Sequence, residues 1–243
     1  MQNNCFPILI LNARPGAGKS EIIDYLQRLP PERRRSRYHV GELDIIDDFP
    51  MLWTWFEEDT LLERMGHPRL HTDVQGYFKA PYLWHLLIER ISLEYAKRLR
   101  DTSDYHDRYT TLIEFSRGTE HGGYAAAYQH LSDLILSRAA TLYVKVSYEE
   151  SLRKNRARFN PDRPDSILEH GLSDEKLERL YRGDDWARFS AGDPAYLSVK
   201  GETVPYVVFE NEDDVTTARG PALGERLEEN LALLWRRYPA LPA

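Results

Sequence analysis

Lys19 and Ser20 close the segment Ala13-Arg14-Pro15-Gly16-Ala17-Gly18-Lys19-Ser20, where an ammonium and a hydroxyl follow a glycine-bearing loop. The apolar run Phe6–Leu11 before it reads as a buried parallel strand, and Lys19–Leu29 after it as an amphipathic helix. Strand, glycine loop and helix in that order make a phosphate-binding loop. Glycines let successive N–H groups turn inward, and the helix N-terminus adds its partial positive charge. Lys19 is then placed to reach β- and γ-phosphates, and the Ser20 hydroxyl to ligate Mg²⁺. Ala13 stands where the motif has its first glycine, a position that needs only a small side chain.

Carboxylates and guanidiniums near such a loop come next. In open α/β sheets ligands sit beyond the carboxyl ends of the strands. Asp44 follows a second strand expected over Tyr38–Leu43, and Glu114 lies near the end of a third over Thr110–Phe115. Either carboxylate there can hold Mg²⁺ or accept the proton of an attacking hydroxyl; Asp44 is the better candidate for the base or acceptor-orienting group, with Glu114 as the alternative. A bland alternative for Asp44 is a helix cap. Asp47 and Asp48 read as a solvated turn. Arg153 and Arg156 are three residues apart on one helix face, with Lys154, Arg158 and Arg163 nearby. Such guanidiniums suit a transferring phosphoryl group, unless they merely pair with Glu149 and Glu150. Arg117, just after the third strand, is a further phosphate or substrate contact. Arg33–Arg37 reads as a solvated basic loop, and His121 as a polar loop histidine. His67 and His71 have helical spacing, but Pro68 between them and the lack of a third ligand argue against a metal site.

These residues need a frame. Thr141–Val146 and Pro205–Phe209 complete a set of five strands, alternating with helices at Pro81–Leu99, Glu149–Arg158, Ser173–Phe189 and Ala222–Tyr238. The pattern implies an α/β three-layer sandwich around a five-stranded, mostly parallel sheet, in one unit over residues 1–243. Between the second and third strands, about 49–108, lies an aromatic-rich helical insertion carrying Trp53, Trp55, Phe56, Tyr77, Phe78, Tyr82 and Trp84. Residues of about 151–174 combine arginines with Asn160-Pro-Asp-Arg-Pro164 and Gly171, a composition that suits a mobile lid. The net charge of −7 argues against a general nucleic-acid coat. A single cysteine, Cys5, excludes an internal disulfide and suits a reducing compartment. No apolar run reaches the length of a membrane span and no signal peptide is evident, so we expect a cytoplasmic protein.

Taken together, Arg14–Ser20, Asp44, Glu114-Phe-Ser-Arg117, the Arg153–Arg163 segment and Val207-Val-Phe-Glu-Asn211 resemble the P-loop kinases of the nucleoside and nucleotide kinase group. That resemblance implies a P-loop NTPase fold and an ATP-dependent phosphotransferase using Mg²⁺. Its acceptor would be a small molecule, such as a nucleoside or nucleotide, bound by the 49–108 insertion. Ala13 to Ser20 would then cradle the nucleotide, Asn211 would border the adenine, and Ser20 with Asp44 or Glu114 would manage the metal. Lys19, Arg153, Arg156 and Arg158 would neutralise the transferring group. A homodimer is compatible with it. The alternative is a P-loop NTPase that serves a partner protein as switch or energy source. Absence of an Asn-Lys-x-Asp tetrad favours ATP over GTP.

Overall fold

The computed structural model describes residues 4–158 and 172–238. Its centre is β1 (Ile8–Ala13), followed by α1 (Lys19–Arg28), α2 (Pro31–Tyr38) and β2 (Glu42–Asp47). Two long helices, α3 (Asp48–Arg64) and α4 (Tyr82–Asp101), form most of the insertion, and the short α5 (Tyr105–Arg108) leads into β3 (Tyr109–Phe115). A 3₁₀ turn at Thr119–His121 precedes α6 (Gly123–Gln129), α7 (Asp133–Leu136) and β4 (Ala139–Lys145). Beyond β4 come α8 (Tyr148–Arg158), α9 (Asp174–Tyr181) and α10 (Trp186–Phe189), and then β5 (Tyr196–Val199), β6 (Glu202–Glu210) and α11 (Pro221–Arg237).

The sheet has the order β2-β3-β1-β4-β6-β5 and is parallel except for the β5–β6 pair. It therefore holds six strands rather than the expected five. The extra strand is a short edge hairpin turned at Lys200-Gly201, both with positive φ (55° and 86°). Such a turn matches the twist of its flanking strands. Along β1 the side chains alternate between two cores, as a strand covered on both faces must. Ile8 and Ile10 pack with Ile88, Ile91 and Tyr95 of α4, Tyr124 and Tyr128 of α6, and Trp186 of α10. Leu9 and Leu11 pack with Ile22 and Leu26 of α1 and with Leu223, Leu227 and Leu231 of α11. That is the expected three-layer arrangement.

Residues 30–47 differ from expectation in a way that matters for the site. Pro31 starts a helix, where a proline without an N–H is harmless, so Arg33–Arg37 lie on α2 and not in a loop. His39 closes it in the left-handed conformation (φ 55°). Arg34 is buried, its guanidinium donating to the carbonyls of Gly41 (2.7 Å) and Leu26 (3.3 Å). The strand consequently starts at Glu42 rather than Tyr38 and ends at Asp47. Its end is four residues beyond the Leu43 expected from sequence. The insertion has its own small core, Trp55, Leu83, Trp84 and Leu87 with Phe78 against them. The helix expected over Pro81–Leu99 is α4.

Candidate functional site

The loop after β1 folds back over the start of α1 with Gly16 and Gly18 in left-handed conformations (φ 73° and 108°), which glycine alone adopts at little cost. Ala13 is the buried last residue of the strand. Arg14 does not turn to the cleft. Its guanidinium donates to the carbonyls of Tyr181, Val146 and Arg182 and pairs with Asp184 at 2.7 Å, bolting the loop to the chain after α9. Asn211 is also a brace, donating to the Ala17 carbonyl at 2.8 Å and to the Thr216 hydroxyl at 2.9 Å. The cleft itself takes Pro15, Gly16, Gly18, Lys19, Ser20 and Glu21 from this loop.

Lys19 crosses the floor of the cleft, donating to Ser116 Oγ at 2.8 Å, with Glu114 Oε1 3.6 Å away. Glu114 pairs in register with Asp47 across β2 and β3, and Asp48 opens α3 next to them. Three carboxylates thus share one largely dehydrated corner with Lys19. Asp47 is pushed up to about 8, by burial first and then by the charges of Glu114 and Asp48. Burial likewise pushes Glu114 up, against the pull of Lys19. Asp48 is relieved by Arg117, whose Nη1 lies 2.6 Å from its Oδ2, both side chains being buried. Asp47 and Asp48 were expected in a solvated turn; they form the acidic corner because β2 ends at Asp47.

Asp44 is not brought to the cleft. It sits midway along β2, where it accepts from Tyr105 Oη at 2.5 Å and pairs with Arg98 Nε at 2.7 Å. Of the arginines on α8, Arg153 is exposed and tied to Glu150 and Asp214, and Arg156 is exposed and tied to Asp174 at 2.6 Å. Neither lines the cleft, whereas Arg158 does, together with Lys154 and Asn155. Lys154 is buried, its Nζ 2.6 Å from Asp214 and 2.9 Å from Thr216 Oγ1. Of the expected lid, 159–171 lies outside the described residues, including Asn160, Arg163 and Gly171. His121 is buried rather than in a polar loop, stacked on Trp84 at 3.8 Å with burial lowering its pKa to about 3.

Away from the phosphate loop the same cavity, about 570 Å³ in all, is walled by the insertion and α9. Phe49, Leu52, Trp53 and Phe56 come from α3, Tyr77 and Phe78 from the turn after it, and Lys176, Arg179 and Tyr181 from α9. The glycine loop and a roomy, ring-lined compartment therefore share one cleft. A divalent cation fits its acidic corner. Burial and neighbouring carboxylates push Asp47 and Glu114 up against the pull of Lys19 and Arg158, so a cation beside them would favour their charged forms, and the Ser20 hydroxyl is at the helix start. Among the described residues no three side chains of the usual ligand types converge on one point. A cation there would take phosphate oxygens and water for the rest, as Mg²⁺ ordinarily does. No described helix is long and apolar enough to cross a membrane.

No protein-family model matches the chain. No curated protein matches its sequence. Among solved structures, TT1252 from Thermus thermophilus aligns over 95% of this chain and 98% of its own, at 16% identity and a TM-score of 0.47. APE1195 aligns over 98% and 97%, at 15% identity and a TM-score of 0.39. Shikimate kinase from Acinetobacter baumannii, in complex with shikimate, aligns over 72% and 75%, at 13% identity and a TM-score of 0.32. Identities and superpositions this low carry no function from those proteins to this chain.

Proposed function

We propose that the protein is a P-loop phosphotransferase that moves the γ-phosphoryl group of ATP to a small acceptor bearing a hydroxyl or phosphate. One observation carries the reading: a single cleft holds the glycine loop with Lys19 at one end and a ring-lined compartment at the other, with carboxylates between them. An NTPase serving a partner protein has no need of a second, ring-lined compartment.

In this reading the amides of Gly16 to Ser20 bind the β-phosphate, and Lys19 holds the β- and γ-phosphates in place. Lys154 and Arg158 are in position to draw off charge from the transferring group, the part first assigned to Arg153 and Arg156. Asp47, once ionised, takes the role expected of Asp44, orienting the acceptor hydroxyl and accepting its proton at a carboxylate oxygen, and Glu114 beside it would help hold the metal. Ser20 and these carboxylates would hold Mg²⁺, which would supply positive charge against the negative charge that develops in transfer. Arg117, locked between Asp48 and the carbonyls of Ser116 and Trp84, fixes the corner rather than meeting a phosphate.

The test is ADP formation from Mg·ATP across a panel of small hydroxyl- and phosphate-bearing compounds. We expect brisk turnover only when a suitable acceptor is present, and none with Lys19→Ala. Turnover that is independent of every acceptor would favour the NTPase reading. Equal turnover by Lys19→Ala would remove both readings.

A further inference from the structure

Arg69 enters the acceptor half of the cleft from an irregular stretch that no helix or strand supports. What holds it is a carboxylate. Asp59 lies on α3 with no solvent exposure. It accepts from the backbone N–H groups of Leu70 (2.7 Å), His71 (3.0 Å) and Thr72 (2.6 Å), and from the Thr72 hydroxyl (2.6 Å). The chain thus wraps its N–H groups around one buried anion. The bridge between Thr72 and Phe78 and the bond from Lys79 N–H to the His71 carbonyl (2.9 Å) then close a turn whose tip reaches α9.

The Thr72 hydroxyl also accepts from Arg69, at 2.8 Å from Nη2 and 3.3 Å from Nε. The polarity of this relay is fixed. An ionised carboxylate can only accept and a guanidinium can only donate, so the hydroxyl must donate to Asp59 and accept from Arg69. Arg69 Nη1 meets Glu63 at 3.2 Å, but that carboxylate is largely exposed and such pairs are weak. Two guanidinium N–H donors remain for the cleft. Lys176 lines the same half, over the Tyr77 ring at 5.4 Å, with no carboxylate partner among the described residues.

We propose that Asp59, though it lies outside the cleft, is a positioning residue for the acceptor: through the Thr72 hydroxyl it sets the direction in which Arg69 meets an anionic group on the acceptor. The inference rests on the phosphotransferase reading for the word acceptor alone; the relay and its anion site stand apart from catalysis. Asp59 touches no ligand itself. Its effect passes through Arg69, so the two are energetically coupled.

Phenyl phosphate and benzoate serve as probes, titrated against the full chain by tryptophan fluorescence, with benzyl alcohol as the neutral comparison. The background is Lys19→Ala, which removes anion binding at the glycine loop. We expect an anion to bind, and Arg69→Gln to weaken it about tenfold or more, as loss of charge-assisted hydrogen bonds does. Asp59→Asn and Thr72→Val should each weaken it severalfold, and add nothing once Arg69 is Gln, because the relay has no other outlet. Binding of a non-hydrolysable Mg·ATP analogue to Asp59→Asn, measured with Lys19 intact, should stay at the wild-type level. If the analogue binds no variant and not the wild type, the phosphotransferase reading falls while the relay stands. Whether phosphate or carboxylate binds better identifies the anion. The relay is overturned if the neutral probe binds as well as both anions, if no anion binds, or if Asp59→Asn and Arg69→Gln add independently.

Discussion

Asp59 should also leave a signature in acid. Burial by itself would raise its pKa, but the bonds from the Thr72 hydroxyl and the N–H groups of Leu70, His71 and Thr72 outweigh that and hold it at about 2, against an ordinary value of 3.8. A carboxyl whose pKa is lower in the folded chain adds stability that is fully present above its unfolded value and disappears as pH falls through the folded one. The gap corresponds to about 2 kcal/mol. Asp59→Asn should therefore cost about that much near pH 7, plus the mismatch of an amide NH₂ facing N–H donors. The difference between variant and wild type should begin to shrink below about pH 4, losing the carboxylate's share by about pH 2.

Other charges face Asp59, and they bear on the design. The His71 ring stands 3.5 Å from it, stacked on Trp55, and Arg69 reaches it only through Thr72. Both neighbours are present in the variant as in the wild type, so the two proteins are compared with each other at every pH. Urea unfolding of both proteins at a series of pH values, each at constant ionic strength, reads the difference directly. A constant gap from pH 7 to pH 2 would mean that Asp59 is not held as a low-pKa carboxylate and would refute the reasoning.

Asp47 has the opposite sign. Its pKa rises to about 8 on folding, so wild-type stability without metal should fall between about pH 4 and pH 8 in a way that Asp47→Asn escapes. Equal slopes in urea unfolding would contradict the crowded corner, and added Mg²⁺ should narrow the difference if the cation sits there. Asp44→Asn should leave acceptor-dependent ADP formation within about threefold and cost about 1 kcal/mol, since it loses only the Arg98 pair and the Tyr105 bond; a hundredfold drop in turnover would return the base to Asp44. Gly18→Ala places a methyl 2.5 Å from Thr216 Oγ1 at φ 108° and should destabilise by about 2 kcal/mol or more. Gly66→Ala, at φ 83° with nothing within 4 Å, should cost about 1 kcal/mol. Thermal melts separate the two effects, and Thr216→Ala should restore part of the Gly18 loss; no restoration would show that overlap with Thr216 is not the cause.

The strand, glycine loop and helix at residues 8–28 were legible because their signal is local. A six-residue apolar run, two glycines and a lysine at a helix start leave one workable geometry, and the structure has that strand, loop and helix. The alternation of apolar strands and helices gave the layers for the same reason. The β5–β6 hairpin was missed because Tyr196-Leu-Ser-Val is too short to announce itself, although Lys200-Gly201 followed by Thr203-Val204 is a legible two-residue turn. Arg14, Asn211, Arg153 and Arg156 could not have been sorted by sequence. Whether an arginine meets a phosphate or a carbonyl depends on which loop folds over it, and Asp184, Asp214 and Asp174 lie far along the chain; only the Glu150 partner of Arg153, three residues away, was in view.

The acidic corner shows how one local misreading moves an entire site. Tyr38-His-Val-Gly-Glu-Leu has the alternation and aromatic content of a strand, while Pro30-Pro31 and four arginines read as a loop. The winning argument is long-range. Arg34 buries its guanidinium against the Leu26 and Gly41 carbonyls, and Tyr38 fits beneath α11, its hydroxyl 3.3 Å from the Gly224 carbonyl, so the segment coils as α2. Each residue kept in α2 delays β2, and the delay carries the strand's end from Leu43 to Asp47. Side-chain direction alternates along a strand, but depth toward the cleft grows steadily with each residue. The parallel register then pairs Asp47, not Asp44, with Glu114. Asp44, three residues earlier, is left opposite Thr111 with Arg98 and Tyr105. In the proposed reading the carboxylate at the end of the second strand is Asp47, and that follows from a helix that begins 11 residues after Ser20.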